Sequence, residues 1–220
     1  NTDSEADILV SSDVPLLDVH VEFSCQNPAS TVASSAKIQT EYQAWKTKYV
    51  SYCDSDNSAY VRKDGAQAVS EGIGFGMLLA AGNLDKVLFD KLSTFYHDHL
   101  DENGLMNWSM AGCAPPGDNN ANSATDGDLD TAMALLQADA LWGGYADRAK
   151  TLITNIKDHE TCETNGRLVL RPGDAWGFCE DGDSQTNPSY FSPGYYKAFA
   201  QAIPEQASHW IRLTMDTYAL

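Results

Sequence analysis

Apolar residues recur along most of this chain with the period of an α-helix. Ile38, Tyr42, Trp45 and Tyr49 follow at spacings of four, three and four, so one face of a helix begins near Ala36. Residues 71–81 are almost wholly apolar and predict a second helix. Gly72, Gly74 and Gly76 weaken its propensity and point to close approach by a neighbouring backbone. Asp85 fits the N-cap of a third helix carrying Leu88, Leu92, Phe95, Tyr96 and Leu100. Further helices are expected from about Asp128 to Trp142, Ala146 to Asp158, Tyr195 to Ile203 and Ser208 to Tyr218. Residues 54–65 read as a polar loop, and 101–125 as a long loop containing Pro115, Pro116 and Gly117. Residues 160–193 read as loop apart from a short extended piece at Arg167–Arg171. About seven helices with almost no period-two alternation define an all-α class. Long, aromatic-bearing loops between the helices suggest a toroid of helix pairs with its loops gathered at one end. Residues 1–35, broken by Pro15 and Pro28, predict an irregular segment packed on a domain formed by residues 36–220. The pattern stops at an apolar helix with no polar cap, an expectation of an unburied face.

Composition adds limits. Of 220 residues, 43% are hydrophobic, 10% aromatic and 20% charged, a globular balance that excludes collagen-like and disordered classes. The longest apolar run, Met77–Ala81, falls far short of the roughly 18 residues of a membrane helix. Charge is more informative: 14 Lys and Arg stand against 31 Asp and Glu, for a net charge of -17. Such a surface repels phosphate backbones and anionic lipid, so nucleic acid and membrane are excluded as partners and a neutral or cationic substrate fits. Five cysteines, at 25, 53, 113, 162 and 179, form no CxxC pair, and His97 and His99 have no cysteine at zinc spacing. No metal site is expected from them; disulfides of a secreted protein are. The odd number leaves one cysteine free or paired outside the chain. The start at Asn1-Thr2-Asp3 has the look of a processed mature form.

Three constellations carry chemistry. In Ser70-Glu71-Gly72-Ile73-Gly74-Phe75-Gly76, a lone glutamate opens an apolar helix. Ser70 fits the N-cap and Glu71 gains from the helix N-terminus. Read functionally, Glu71 is a carboxyl desolvated by apolar neighbours, with its pKa raised so that it can act as an acid. In Thr125-Asp126-Gly127-Asp128-Leu129-Asp130, alternate acids resemble the start of a calcium loop, but Thr131 stands where glycine is required and Gln137 where the closing glutamate belongs. Three acids exceed what a helix cap needs, so at least one is expected to face a cleft. Trp108 and Trp176 lie in the two long loops, followed by Tyr190, Phe191, Tyr195 and Tyr196. Such rings either stack on sugar faces or pack beneath the loops. The sequon Asn107-Trp108-Ser109 is expected to be unmodified, since a glycan there would block a cleft lined by Trp108.

Ser70–Ala80, Ala124–Trp142, Leu170–Gly177 and Thr186–Pro193 together resemble glycoside hydrolase family 8, as do Tyr42, Trp45, Lys46 and Tyr49 of the opening helix. The resemblance runs in order from about Glu41 to Trp210; Thr131 departs from the usual Ile or Met at a packing position. It implies an (α/α)6 barrel of inverting, endo-acting hydrolases of β-1,4-linked glycans, with this chain covering its N-terminal half to two-thirds. By position, Glu71 matches the general acid and Asp126 the carboxylate that binds and distorts the sugar at the cleavage subsite. Trp108, Trp176 and Tyr190 match sugar-stacking positions. The family's base has no matching motif here: Asp174, Asp181, Asp183 and Asp216 all lack its context. It is expected in a C-terminal part or a companion chain.

The resulting expectation is a secreted endo-β-1,4-glucanase of cellulase type, needing no cofactor or metal. Its partners would be a β-glucan polysaccharide or oligosaccharide and, if the barrel is completed in trans, a second chain. Mixed-linkage β-glucan, chitosan and xylan are alternative substrates of the same chemistry. A carbohydrate-binding fragment without activity and a calcium-stabilised domain using Asp126, Asp128 and Asp130 are readings from other classes.

Overall fold

The computed structural model describes residues 33–55, 57–114, 122–177, 179 and 185–220. The expectations for the N-terminal segment, Cys25, Pro115–Gly117, Asp181 and Asp183 lie outside these residues. Among the described residues there are seven α-helices: α1 (Ser35–Tyr49), α2 (Ser70–Gly82), α3 (Lys86–Asp98), α4 (Thr125–Trp142), α5 (Ala146–His159), α6 (Pro193–Ala202) and α7 (Ala207–Thr217). Helices α2, α4 and α6 touch in sequence, and each is backed by the helix that follows it, α3, α5 and α7. This repeat of helix pairs builds an arc whose first row presents its three N-terminal ends to the same side.

Sequence chemistry explains several boundaries. Ser34 caps α1 by accepting the Lys37 N–H, and Asp85 caps α3 by accepting the Leu88 N–H at 3.1 Å. Two expectations are corrected. Ser70 is not a cap: Val69 holds that position and Ser70 is buried as the first residue of α2. Helix α4 begins at Thr125, three residues before Asp128, so Asp126 and Asp128 both lie in its first turn.

The loops also contain antiparallel ribbons, of which the patterning showed only the extended piece at Arg167–Arg171, observed as a strand over Arg167–Leu170. Strand β1 (Val50–Cys53) pairs with β2 (Ser58–Val61), so part of the expected 54–65 loop is a hairpin. Strand β3 (Ala68–Val69) pairs with β4 (Ser109–Met110), and β5 (Thr161–Thr164) with β6 (Arg167–Leu170). The last hairpin turns on Asn165 and Gly166, both at positive φ (51° and 72°), the conformation an Asn-Gly turn favours.

Ile73, Met77, Phe89, Phe95 and Leu129 are fully buried or nearly so in the centre of the arc. Tyr196 stacks on Trp210 and Phe199 meets Trp210 edge-on between α6 and α7. The outer faces at the two edges are less covered: Ile38 and Leu79 on one, Ile211, Met215 and Tyr218 on the other, are exposed. Disulfides Cys53–Cys113 and Cys162–Cys179 tie the β1–β2 and β5–β6 ribbons to the two long loops. No helix among the described residues is long and apolar enough to cross a membrane.

Candidate active site

The site begins with an unusually close helix crossing. A Cβ added to Gly74 of α2 would lie 2.7 Å from Asp130 Cβ and 2.9 Å from the Gly127 carbonyl. One added to Gly127 of α4 would lie 2.6 Å from backbone and Cβ atoms of Ser70. These two glycines let the first turns of α2 and α4 meet, which brings Glu71 and Asp126 to one cavity. That cavity, of about 290 Å³, is lined by Glu71, Phe75, Asp126, Asp130, Ser189, Tyr190 and Ser192.

Glu71 is exposed to this space, not enclosed by apolar neighbours as expected. The reason is the helix phase: Ile73 and Met77 turn into the core, while Glu71 and Phe75, four residues apart, share the cavity face. Burial raises the Asp126 carboxyl and the Glu71 charge adds to this; the Gly127 N–H, at 2.8 Å, opposes it, and the carboxyl is pushed up to about 6. Asp130 is likewise pushed up to about 6, chiefly by burial and with help from the charges of Asp126 and Glu71, against a hydrogen bond from the Tyr195 hydroxyl. The Tyr190 hydroxyl hydrogen-bonds to Asp126. Asp126 and Asp130 therefore hold their protons nearer neutrality than isolated carboxyls do.

Tyr190 also belongs to an adjoining cleft of about 420 Å³ that Trp108 and Trp176 wall. The two tryptophans meet edge-to-face with ring centroids 5.9 Å apart. Asn122 fixes both: its carbonyl accepts the Trp108 N–H at 2.9 Å and its side-chain oxygen accepts the Trp176 indole N–H at 2.8 Å. Trp176 remains 44% exposed, so a flat face is open to a ligand. Phe191 packs against the core and Tyr196 is fully buried, so the sequence's aromatic group divides into cleft and core members.

Thus Glu71, Asp126 and Tyr190 share one cavity, and Trp108, Trp176 and Tyr190 share the next. Asp130, one of the three acids of which at least one was expected to face a cleft, and Phe75, which the sequence did not single out, also line the site. Each stands four residues beyond a candidate acid, and that helical spacing was the available signal. Asp128, by contrast, points inward and is fully buried beneath the site. Asp174, in the loop after β6, accepts the Ser123 N–H, and Asp216 accepts the Leu168 N–H. Asn107 is buried and its amide donates to the His99 carbonyl at 2.9 Å, which places it out of reach of glycosylation in the folded chain.

Helix pairs in an arc, with carboxylates and exposed aromatic rings gathered at the helix N-termini, fit the class of glycoside hydrolases built on (α/α)6 barrels. Residues 21–220 match the sequence profile of glycosyl hydrolases family 8, and the chain belongs to that family. It is 39% identical over 182 residues to Endoglucanase A of Acetivibrio thermocellus, covering 76% of this chain and 36% of that protein. A family 8 endoglucanase structure from Klebsiella pneumoniae matches with a TM-score of 0.72 at 31% identity, over 82% of this chain and 57% of that one. A β-1,3-1,4-glucanase structure from Paenibacillus sp. X4 matches with a TM-score of 0.72 at 29% identity, over 83% and 50%. The chain therefore spans between about a third and just over half of these relatives' length, and its helices form part of an (α/α)6 barrel.

Proposed function

We propose that this chain supplies the acid-bearing part of a secreted, inverting endo-β-1,4-glucanase. Glu71 protonates the leaving glycosidic oxygen. Asp126, steadied by Tyr190, holds the sugar at the cleavage subsite near its transition-state shape. Trp108, Trp176 and Tyr190 stack against flanking sugars. The observation that carries the reading is that Glu71 and Asp126 open onto one cavity continuous, through Tyr190, with the tryptophan cleft. Inversion also requires a base on the opposite face of the sugar, with carboxyls roughly 6.5–9.5 Å apart so that a water fits between them. That base comes from the part of the barrel outside these residues or from a companion chain, which would also cover the apolar edges of the arc. The two disulfides support a secreted location.

Native mass of the purified protein, with and without reductant, establishes whether a second chain is present. Reducing-end release from carboxymethylcellulose, mixed-linkage β-glucan, chitosan and xylan then reads the substrate. Glu71→Gln should abolish release while leaving cello-oligosaccharide binding intact; undiminished turnover in that variant refutes the assignment. Mixed-linkage β-glucan is the favoured alternative substrate, because the β-1,3-1,4-glucanase structure matches this fold as closely as the endoglucanase does.

A further inference from the structure

We infer that two proton-sharing carboxyl pairs, Asp128–Glu160 and Asp101–Asp174, form a pH-released latch that positions the loops carrying Trp108 and Trp176. Asp128 and Glu160 are both fully buried. Asp128 Oδ1 accepts from the Tyr96 hydroxyl and from the Met106 N–H, and Glu160 Oε1 accepts from the Ser123 hydroxyl at 2.6 Å. Among the described residues their other oxygens, Oδ2 and Oε2, have no partner at hydrogen-bond geometry; the two carboxyls face each other, and the Thr125 hydroxyl also lies against Glu160. Two ionised carboxylates buried face to face repel each other, so the pair is held by a retained proton. The second pair repeats the arrangement. Asp101 Oδ1 accepts the N–H groups of Asn103 and Leu105, and Asp174 accepts from Ser123 N and Asn103 Nδ2, both at 2.8 Å. Asp101 Oδ2 is left with Asp174 alone.

The four acids come from four segments: the loop after α3, α4, the end of α5, and the loop after β6. Ser123 joins the pairs, since its hydroxyl serves Glu160 and accepts the Asp174 N–H at 3.1 Å. Its neighbour Asn122 holds both tryptophans. The titratable groups facing the pairs are Tyr96 from α3 and the four carboxyls themselves. Nearby cationic and imidazole groups are engaged elsewhere: Arg171 donates to the carbonyls of His159, Trp176 and Gly177, and the His99 ring bonds the Phe95 carbonyl. Among the described residues no cationic side chain pairs with any of the four acids, so losing either proton leaves two adjacent negative charges.

Burial pushes Asp128 up to about 7 and Asp101 up to about 6, and Glu160 is also raised by burial and by Asp128. Groups raised in the closed state favour that state at low pH. The preference is complete below the ordinary carboxyl range and declines as pH rises through these values. In that window each retained proton makes the opening equilibrium grow up to about tenfold per pH unit.

The test is hydrogen exchange of this chain without ligand, corrected for intrinsic rates, between about pH 5 and pH 8. Protection of residues 101–110 and 172–177 should fall at least about tenfold, while helix α2 stays protected. Glu160→Gln, whose amide donates to Asp128 at every pH, should remove most of that fall. Asp101→Asn does the same for the second pair if the first variant does not fold. Protection that is flat with pH in the unmodified chain, or equally pH-dependent in both variants, overturns the latch. The consequence for sugar rests on the function proposed above: cellopentaose affinity should weaken at the upper pH in the unmodified chain but not in Glu160→Gln. No cellopentaose binding at any pH would count against the tryptophan cleft as a sugar site, while exchange still decides the latch.

Discussion

Replacing Gly127 by alanine tests whether the α2–α4 crossing builds the site. The added Cβ would stand 2.6 Å from the Ser70 carbonyl carbon and 2.5 Å from its hydroxyl, where ordinary contact begins at 3.4 Å. A backbone atom cannot rotate away as a side chain can. The helices must part by about 1 Å, loosening a packed interface, and overpacking of this kind costs about 1–3 kcal/mol. Alanine recovers little helix propensity, because Gly127 is in the first turn of α4. A net loss of about 2 kcal/mol is expected. Gly82 is the control: it ends α2, with nothing within 4 Å of an added Cβ, so Gly82→Ala should be neutral or stabilise by up to about 1 kcal/mol. Urea unfolding followed by circular dichroism reads both variants. If Gly127→Ala is as stable as the unmodified chain, or if the two variants shift together, the close crossing is not what sets this interface.

Removing Cys162–Cys179, which closes a separation of 17 residues, should lower stability by about 3 kcal/mol, and removing Cys53–Cys113, which closes 60, by about 4 kcal/mol. Serine replacements compared by urea unfolding check both the size and the order. Asp85→Ala removes the α3 cap, the Lys46 ion pair at 2.5 Å and the acceptor for the Tyr42 hydroxyl, and should cost about 1–3 kcal/mol. Although burial pushes the Asp85 carboxyl up, the bonds from Lys46, Leu88 N–H and Tyr42 outweigh it and hold it below its ordinary value. Its contribution is therefore present above about pH 4 and lost as pH falls below that, so the difference between variant and unmodified chain should shrink in acid.

The helices were legible because each buries one stripe against a neighbour. Four of the seven have ends within about a residue of those the apolar spacing predicts, and Asp85 declares the start of α3 by side-chain chemistry. Apart from the extended piece at Arg167–Arg171, which is β6, the ribbons were not legible from alternation. In β2 all of Ser58, Ala59, Tyr60 and Val61 are buried, so no polar face exists to mark a period of two. The β5–β6 turn did carry a signal, Asn165-Gly166, that outweighs the absent alternation. Among the acids, the pattern of alternate carboxylates at 126, 128 and 130 was visible but not their division of labour. Helical phase decides it: Asp126 and Asp130, four apart, face the cavity, while Asp128 points into the core, where it meets Glu160. Glu160 itself carried no sequence signal, because its partners Ser123 and Asp128 are distant from it along the chain.

The same physical opposition operates at the candidate site and beneath it, with different outcomes. At the site, the N-terminal turn of α4 offers Asp126 the Gly127 N–H, which favours the charged form, while burial and the Glu71 charge favour the neutral one. The balance leaves Asp126 near 6, half-buried at the cavity and open to solvent, so its proton can exchange. Two residues on, on the opposite face of the helix, burial of Asp128 is complete and the nearest charged partner is another acid, so the balance tips to a retained, shared proton. A hydrogen-bond donor entering the outer cavity would stabilise the ionised form of Asp126, whereas the inner pair is fully buried. The outer carboxyls are thereby suited to respond to ligand and the inner ones to pH. Because Ser123 and Asn122 connect the inner pairs to the tryptophans, the cleft's shape and its charge are set by separate groups on one short stretch of chain.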